Sequence, residues 1–251
     1  MERAQIKLDG KTLNNVLKAI SILSDTANVR VRYGFLAFES LDRYTAVAIR
    51  AVFPNNALQY YFVKEEKDFG IDVKQIYDTI KSFNKENIDI LIGDNLVLKV
   101  DSFTFEFPIL PIENDFPVDK IDNSGFNNHV SIETKKLKQI IAILKQKAKK
   151  VYNGSITFML NENGFEILFS NPDTNEKLSF SFSENLIAKN ISKNINAFYS
   201  LDYIIQMLGK EFSDVTRIYI SDNQILKIVY PLILTFDEAQ ITFYVAPRTK
   251  E

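Results

Sequence analysis

The feature that most constrains the fold of this 251-residue chain is a short motif that occurs twice. Gly93–Val100 reads GDNLVLKV, and Ser221–Ile228, 128 positions later, reads SDNQILKI. In both copies an Asp-Asn turn is followed by alternating apolar residues, a pattern typical of a β-hairpin. Its recurrence at about half the chain length predicts two copies of one domain.

The order of the other segments supports this duplication. A strand followed by an amphipathic helix opens each half, and the apolar stripes of these helices start at Leu13 and at Leu137. A second stripe starts at Val73 and returns at Leu201, with Asp72 and Ser200 where N-caps belong. Further strands are predicted at 28–33, 35–41, 44–53, 88–92, 96–100 and 103–107, and at 155–160, 164–170, 177–183, 217–220, 225–230 and 240–245. The expected fold is α+β, with two duplicated domains that each pack two helices on antiparallel sheets.

The segment between the two halves predicts a connector. Pro108–Asn128 contains three prolines and several Asp and Asn residues, and it has no helical period. Its length is unusual for a loop inside one domain. We therefore expect an N-terminal domain at 1–110, an interdomain connector at 111–128 and a C-terminal domain at 129–251.

Composition and motifs argue against several functions. The chain has no cysteine, so disulfides and thiolate chemistry are excluded, and it contains a single histidine, His129. Neither a phosphate-binding glycine loop nor a Cys/His metal spacing occurs. We expect no enzyme activity, no catalytic residues, no metal and no cofactor. There is no apolar stretch of membrane-spanning length and no apolar secretion signal, so we expect an intracellular protein without membrane partners.

Charge on the predicted helices points to a possible partner. The net charge of −2 excludes a generally basic protein, so binding to nucleic acid requires charge gathered on one surface. Such lysines fit two interpretations equally, ordinary solvated helix faces or a surface that follows DNA phosphates. The residues alone leave both interpretations open. The candidate DNA-binding residues are Lys11, Lys18, Lys74, Lys81, Lys85, Lys135, Lys138, Lys145, Lys149 and Lys210.

Two short motifs resemble a known family. Phe243–Arg248 reads FYVAPR near the end of the chain, and Ser40–Arg43 reads SLDR after the third predicted strand. Together with the duplication and the connector, they resemble proliferating cell nuclear antigen, the sliding clamp of archaea and eukaryotes, most closely its archaeal type. The resemblance implies a ring of three chains, a homo- or heterotrimer, whose helices line a hole around double-stranded DNA without reading its sequence.

The same resemblance implies how the chains join and what they bind. Edge strands 103–109 and 177–183 of neighbouring chains would pair, with Phe105, Phe107, Ile109, Leu178, Phe180 and Phe182 as interface residues. Partners would be a clamp loader, DNA polymerase and other replication or repair proteins that carry a short PCNA-interacting motif. The groove for that motif would comprise Leu41, Val118, Ile121, Ile225, Tyr244, Ala246 and Pro247, although Ile225 stands where many family members have proline.

The implied function is that of a processivity factor, which tethers replication and repair enzymes to DNA. The alternatives are a checkpoint-type clamp subunit and one subunit of a heterotrimeric clamp. The implied location is the cytoplasm of an archaeon or the nucleus of a eukaryote.

Overall fold

A computed structural model describes residues 3–112, 121, 125–147, 154–171, 174–183, 186–221, 224–233 and 236–248. The chain divides into two compact units. Unit 1 comprises Met1–Phe116 with Pro231–Ile241, and unit 2 comprises Pro117–Tyr230 with Thr242–Glu251. The domain boundaries at 110/111 and 128/129 stay a prediction.

The two halves of the chain contain the same elements in the same order. Within the described residues, each half has nine strands and two α-helices. The first half runs β1 Ala4–Asp9, α1 Gly10–Ile20, β2 Thr26–Val31, β3 Phe35–Leu41, β4 Val47–Pro54, β5 Tyr60–Val63, β6 Lys67–Asp72, α2 Val73–Ile80, β7 Asn87–Ile92, β8 Asn95–Val100 and β9 Phe103–Pro108, with a 3₁₀ turn at Asn55–Ala57. The second half runs β10 Asn128–Glu133, α3 Thr134–Lys147, β11 Ser155–Asn161, β12 Gly164–Ser170, β13 Lys177–Phe182, β14 Leu186–Asn190, β15 Ile195–Ser200, α4 Leu201–Leu208, β16 Val215–Ile220, β17 Leu226–Ile233 and β18 Phe236–Val245. The predicted α+β fold with duplicated domains is confirmed.

Each unit combines two antiparallel layers. In unit 1 the strand orders are β5-β1-β7-β8-β9 and β4-β3-β2-β6, and β18 begins within this unit beside β4. In unit 2 the orders are β14-β10-β16-β17 and β13-β12-β11-β15. Helices α1 and α2 pack together in unit 1, and α3 and α4 do so in unit 2.

Equivalent backbone hydrogen bonds hold the helices in both units. The N–H of Gly10, at the start of α1, donates to the carbonyl of Glu86 at 2.8 Å, and Thr134 at the start of α3 donates to Asp214 at the same distance. Because a side chain at Gly10 would meet the carbonyl oxygen of Phe83, α1 can approach the segment after α2 closely only with glycine there. Helices α1 and α3 are therefore held at their starts by main-chain bonds to the residues that precede β7 and β16, at equivalent positions in the two copies.

Strand prediction fails at specific places. The strands β5, β6, β14 and β15 were not predicted; β5, for example, reads Tyr-Tyr-Phe-Val without the apolar and polar alternation of a half-buried strand. The predicted strand 44–53 begins too early, because the Asp42 carboxylate accepts the N–H groups of Tyr44 and Val47 and holds a turn there. Asp72 caps α2 as expected, by accepting from the N–H of Gln75 at 2.8 Å, whereas the Ser200 side chain makes no capping bond at α4.

Candidate DNA and partner surfaces

Helix α1 of unit 1 turns a narrow, basic face to solvent, and α2 exposes Lys74 together with Gln75 and Asp78. In α1 only Lys11, Asn15 and Lys18 escape burial, and both lysines are exposed. They are seven positions apart, which places them on one side of the helix. Lys74 is exposed in the first turn of α2, and Lys81 and Lys85 are exposed after its end.

The helices of unit 2 are less alike. Lys135, Lys138 and Lys145 are all exposed on α3, whereas Leu137 and Leu144 on the same helix are buried. The solvent face of α4 carries Asp202 and Gln206, and Lys210 follows two residues after its end. Lys149 lies outside the described residues.

Carboxylates hold two of the candidate lysines. Lys81 Nζ lies 2.8 Å from Asp78 Oδ1, and this hydrogen bond raises the pKa of Lys81 and lowers that of Asp78. Lys138 Nζ lies 3.1 Å from Glu211 Oε2. These two lysines must leave, or share, a carboxylate before they can contact a phosphate.

The two strands predicted to join neighbouring chains are both edge strands. β9 ends the five-stranded sheet of unit 1, and β13 ends a four-stranded sheet of unit 2. Phe107 and Phe182 are buried in their own units, whereas Phe105, Ile109, Leu178 and Phe180 are partly exposed. Sheet edges with unpaired main-chain groups and apolar side chains are suited to pairing with another chain.

An aromatic cluster accompanies the β9 edge. The rings of Phe103 and Phe105 are stacked with centroids 6.2 Å apart, and Phe83 lies 5.7 Å from Phe103 and 6.0 Å from Phe105. Phe103 nevertheless remains 53% exposed. Burial of such a ring against a partner would be favourable, so the cluster extends the candidate interface beyond the predicted residues.

The unit 1 part of the predicted partner groove is a pocket at the end of β3. Leu41 lines it together with Leu110 and Pro111, where the predicted connector starts. Gly70 in β6 and Leu110 exchange two main-chain hydrogen bonds of 2.8 and 2.9 Å, which fix this end of the connector to the sheet. The structure therefore brings Leu41 and the start of the connector together.

In unit 2, the predicted groove residue Tyr244 belongs to an aromatic cluster with one lysine at its centre. Lys227 Nζ lies 5.3 Å from the ring centre of Phe126, 5.6 Å from that of Tyr244 and 5.9 Å from that of Tyr219. Tyr244 is only 4% exposed, and its ring centre lies 6.5 Å from that of Phe126. Cation–π attraction of this kind stabilises the rings around the ammonium group.

The remaining predicted groove residues vary in exposure. Ile121 and Ile225 are partly buried, Ala246 is exposed and Pro247 is partly buried. The C-terminal tail is held by Arg248, whose N–H donates to the carbonyl of Phe198 in β15 at 2.7 Å. Val118 lies outside the described residues.

Sequence reasoning missed three members of the unit 2 cluster, Phe126, Tyr219 and Lys227. Tyr219 and Lys227 are directly opposed in the pairing of β16 with β17. The hairpin predicted around Ser221 offered a signal for this pair, because two strands joined by a tight turn bring such positions together. Phe126 had no comparable signal, since it lies in an irregular segment.

No group of three or more His, Cys, Asp or Glu side chains suited to a metal ion occurs in the part of the chain that the structure describes. In the same ranges, no helix has the length and apolar character needed to cross a membrane.

The sheets, helices and repeat described above define a clamp-type fold with two copies per chain. No protein-family model matches the sequence. Among curated proteins, the chain is 22% identical to the DNA polymerase sliding clamp of Archaeoglobus fulgidus over 245 residues, which is 96% of each chain. It is 19% identical to DNA polymerase sliding clamp 1 of Pyrobaculum aerophilum over 255 residues, 97% of each.

Solved structures give the same result for the fold. A. fulgidus PCNA bound to the C-terminal region of FEN-1 matches with a TM-score of 0.79 and 20% identity, over 99% of both chains. The PCNA2-PCNA3 complex of Sulfolobus tokodaii matches with a TM-score of 0.81 and 18% identity, over 98% of this chain and 100% of the other. The chain has the PCNA fold, and its predicted resemblance to archaeal sliding clamps is confirmed over nearly its whole length.

Proposed function

We propose that this protein is a DNA sliding clamp, a processivity factor that encircles double-stranded DNA and tethers replication and repair enzymes. The observation that carries this proposal is the match of almost the entire chain, in sequence and in fold, to proteins named DNA polymerase sliding clamps. The protein works as a scaffold without catalysis of its own and needs no cofactor.

The exposed lysines support DNA binding. Lys11, Lys18, Lys74, Lys85, Lys135, Lys145 and Lys210 contact phosphates, and Lys81 and Lys138 join them by exchanging their carboxylate partners. Lys149 is assigned to the same surface from the sequence. Because lysine is a flexible point charge, these contacts hold the duplex and let it slide without selecting a sequence.

The edge strands support a ring. Within unit 1, the last strand of the second copy, β18, lies beside β4 of the first copy. The equivalent strands of the opposite copies are β9 and β13, and among the described strands both lie at the edge of their sheets. Pairing of β9 with β13 of the next chain repeats the same kind of junction between chains. Such head-to-tail pairing closes into a ring, which we propose contains three chains.

Partner proteins dock at the pocket of Leu41 and at the surface around Ile121, Ile225, Ala246 and Pro247. The relative from A. fulgidus was solved with the C-terminal region of FEN-1, which supports a short peptide as the occupant. Buried Tyr244 supports the floor of this surface through Phe126 and Lys227. Val118, from the connector, completes the proposed groove.

A second candidate is one subunit of a heterotrimeric clamp, because the S. tokodaii relative was solved as a complex of two different PCNA chains. Light scattering separates the two. A purified chain that forms particles of about three times 28.9 kDa is a homotrimer, whereas a chain that trimerises only with a second clamp chain is a heterotrimer subunit.

The central experiment tests whether DNA passes through the ring. The assembled protein is allowed to thread onto linear duplex DNA, the ends are then blocked with bound streptavidin, and retention after a high-salt wash is measured. We expect retention that disappears when one end is cut free. Equal loss from blocked and open DNA would refute encirclement.

A lysine variant tests the contact surface through the salt dependence of the affinity for duplex DNA. Replacing Lys11, Lys18 and Lys74 by Gln should reduce the slope of log affinity against log salt by about 2.7, at roughly 0.9 for each phosphate contact. The matched control replaces Lys7, Lys64 and Lys99, which lie on or beside strands of the same unit. An equal change in both variants would assign the effect to net charge instead of the helix surface.

A further inference from the structure

The turn between β3 and β4 is unusually well fixed for an exposed loop. The side chain of Asp42 is buried, and its two carboxylate oxygens accept the N–H groups of Val47 at 2.8 Å and Tyr44 at 3.1 Å. Main-chain bonds between Asp42 and Val47 and from Thr45 to Asp42 close the turn, and Thr45 has a φ of 56°. A non-glycine residue held at positive φ by such a network indicates a preorganised loop.

The turn presents a cation stacked on an aromatic ring. The guanidinium carbon of Arg43 lies 4.6 Å from the ring centre of Tyr44, and Tyr44 is 66% exposed. Within the described part of the chain, no carboxylate lies within salt-bridge distance of Arg43. Arg and Tyr, together with Trp, are enriched at the energetic centres of protein interfaces, and a rigid loop lowers the entropy cost of using them.

The position of this pair connects it with the proposed partner groove. Leu41, which lines the pocket with Leu110 and Pro111, comes two residues before Arg43. Two residues span at most about 7 Å of main chain, so a peptide that fills the pocket passes within reach of the Arg43 side chain. The pair lies on a β-turn of unit 1 and not on the helices that carry the candidate phosphate contacts.

We propose that Arg43 and Tyr44 determine partner specificity by binding a carboxylate side chain that flanks the apolar anchors of a docked peptide. The inference rests on the proposed function, because it assumes that partner peptides occupy the Leu41 pocket. The guanidinium supplies the charge and paired N–H donors that fit a carboxylate. The Tyr44 ring holds the guanidinium in place, and its own face packs against the peptide.

The test compares two synthetic peptides by isothermal titration against the full chain. Both contain one isoleucine and two phenylalanines as anchors; one has three glutamates on each side of the anchors, and the other has three lysines. We expect the wild-type protein to bind the glutamate peptide about three- to fivefold more tightly than Arg43→Glu does at low salt, as for other exposed ion pairs. Arg43→Glu should bind the lysine peptide more tightly than wild type, and added salt should reduce both differences.

Three further variants refine the result. Lys99→Glu makes the same charge change on β8 and should leave the ratio of the two peptide affinities unchanged. Tyr44→Ala should lower the affinity for the glutamate peptide, whereas Tyr44→Phe should retain it, because the ring and not the hydroxyl supports Arg43.

The outcomes separate this inference from the proposed function. If the glutamate peptide binds but Arg43→Glu leaves the peptide ratio unchanged, the specificity role is overturned and partner docking stands. A peptide that fails to bind wild type at all overturns docking and the inference with it. If Arg43→Glu weakens retention on DNA without changing the peptide ratio, Arg43 is a phosphate contact and the inference is again overturned.

Discussion

Gly70 and Leu110 exchange both of their main-chain hydrogen bonds, so the chain leaving β9 is fastened to the edge of β6 where the predicted connector starts. In the second copy, the chain leaving β18 is fastened to β15 by the bond from Arg248 to Phe198. In each copy, the chain therefore turns back after its last strand and bonds to the equivalent strand, β6 in the first copy and β15 in the second. In unit 1 this return also forms one wall of the Leu41 pocket.

Gly70→Ala should loosen this fastening. An added Cβ would lie 2.4 Å from the carbonyl oxygen of Pro111 and 3.1 Å from Cβ of Leu110, so Leu110 and Pro111 must move. We expect a loss of stability of about 1–3 kcal/mol, as for other overpacked sites, together with faster hydrogen exchange at the Leu110 amide. Urea unfolding and hydrogen exchange measure the two effects.

Gly34→Ala is the matched control for this change, because no atom lies within 4 Å of the Cβ position there. It should leave both the urea midpoint and exchange at Leu110 close to wild type. Normal exchange at Leu110 in Gly70→Ala would mean that the contact does not anchor the connector.

The repeat and the helices could be predicted from sequence because their signals are local. Leu13, Val16 and Leu17 follow the helical period and are all buried, and the two hairpin motifs recur with their turn residues intact. Strands β5 and β14 could not be predicted, since they lie at sheet edges and carry several exposed residues, such as Phe62 and Ile187. Edge strands lack the burial that produces a clear alternation.

The candidate surfaces also contain some residues that the sequence could predict and some contacts that it could not. Exposure of Lys11 and Lys18 follows from helical geometry, so sequence was sufficient for them. The ion pair between Lys138 and Glu211 joins residues 73 positions apart, and the contact of Phe126 with Tyr244 spans still more of the chain. Such pairs depend on tertiary packing, which no local pattern encodes.

Tyr61→Phe should destabilise unit 1. The hydroxyl of Tyr61 donates to the main-chain carbonyls of Arg32 and Phe35, and burial raises the pKa of Tyr61 to about 12. Removing the hydroxyl takes away the side-chain donor to the Arg32 carbonyl, whereas the Phe35 carbonyl still accepts the N–H of Arg32, so we expect a cost of about 1–3 kcal/mol. Urea unfolding at neutral pH measures the effect. Tyr60→Phe, on the exposed side of the same strand, should change stability by less than about 0.5 kcal/mol.

Stability should fall on acidification because of His129. Burial, and secondly the nearby charge of Arg217, lower the pKa of His129 below its usual 6.5, so the folded state disfavours the imidazolium. The stabilising contribution is complete above the unfolded pKa of about 6.5 and is lost as the pH falls below it. His129 also stacks on Tyr219 with ring centres 4.9 Å apart, which His129→Phe should preserve.

The measurement is the urea midpoint of the wild type and of His129→Phe at pH 7.5 and 5.0. We expect the wild type to lose more stability over this interval than the variant, because the sequence contains no other histidine. Parallel losses in the two proteins would assign the acid sensitivity to carboxylates.

Asp78→Asn should strengthen DNA binding by releasing Lys81. Asp78 accepts a hydrogen bond from Lys81 at 2.8 Å on an exposed surface, where the pair contributes little to stability. A released lysine adds about one phosphate contact, so the slope of log affinity against log salt should steepen by about 0.9. Fluorescence anisotropy with a short duplex at several salt concentrations gives this slope.

The control is Asp202→Asn, which removes the same charge from the exposed face of α4, where no ion pair with a lysine is present among the described residues. This variant should change the affinity without changing the slope. Equal slopes for the two variants would show that only the general field of the protein has changed, and that Lys81 does not reach the DNA.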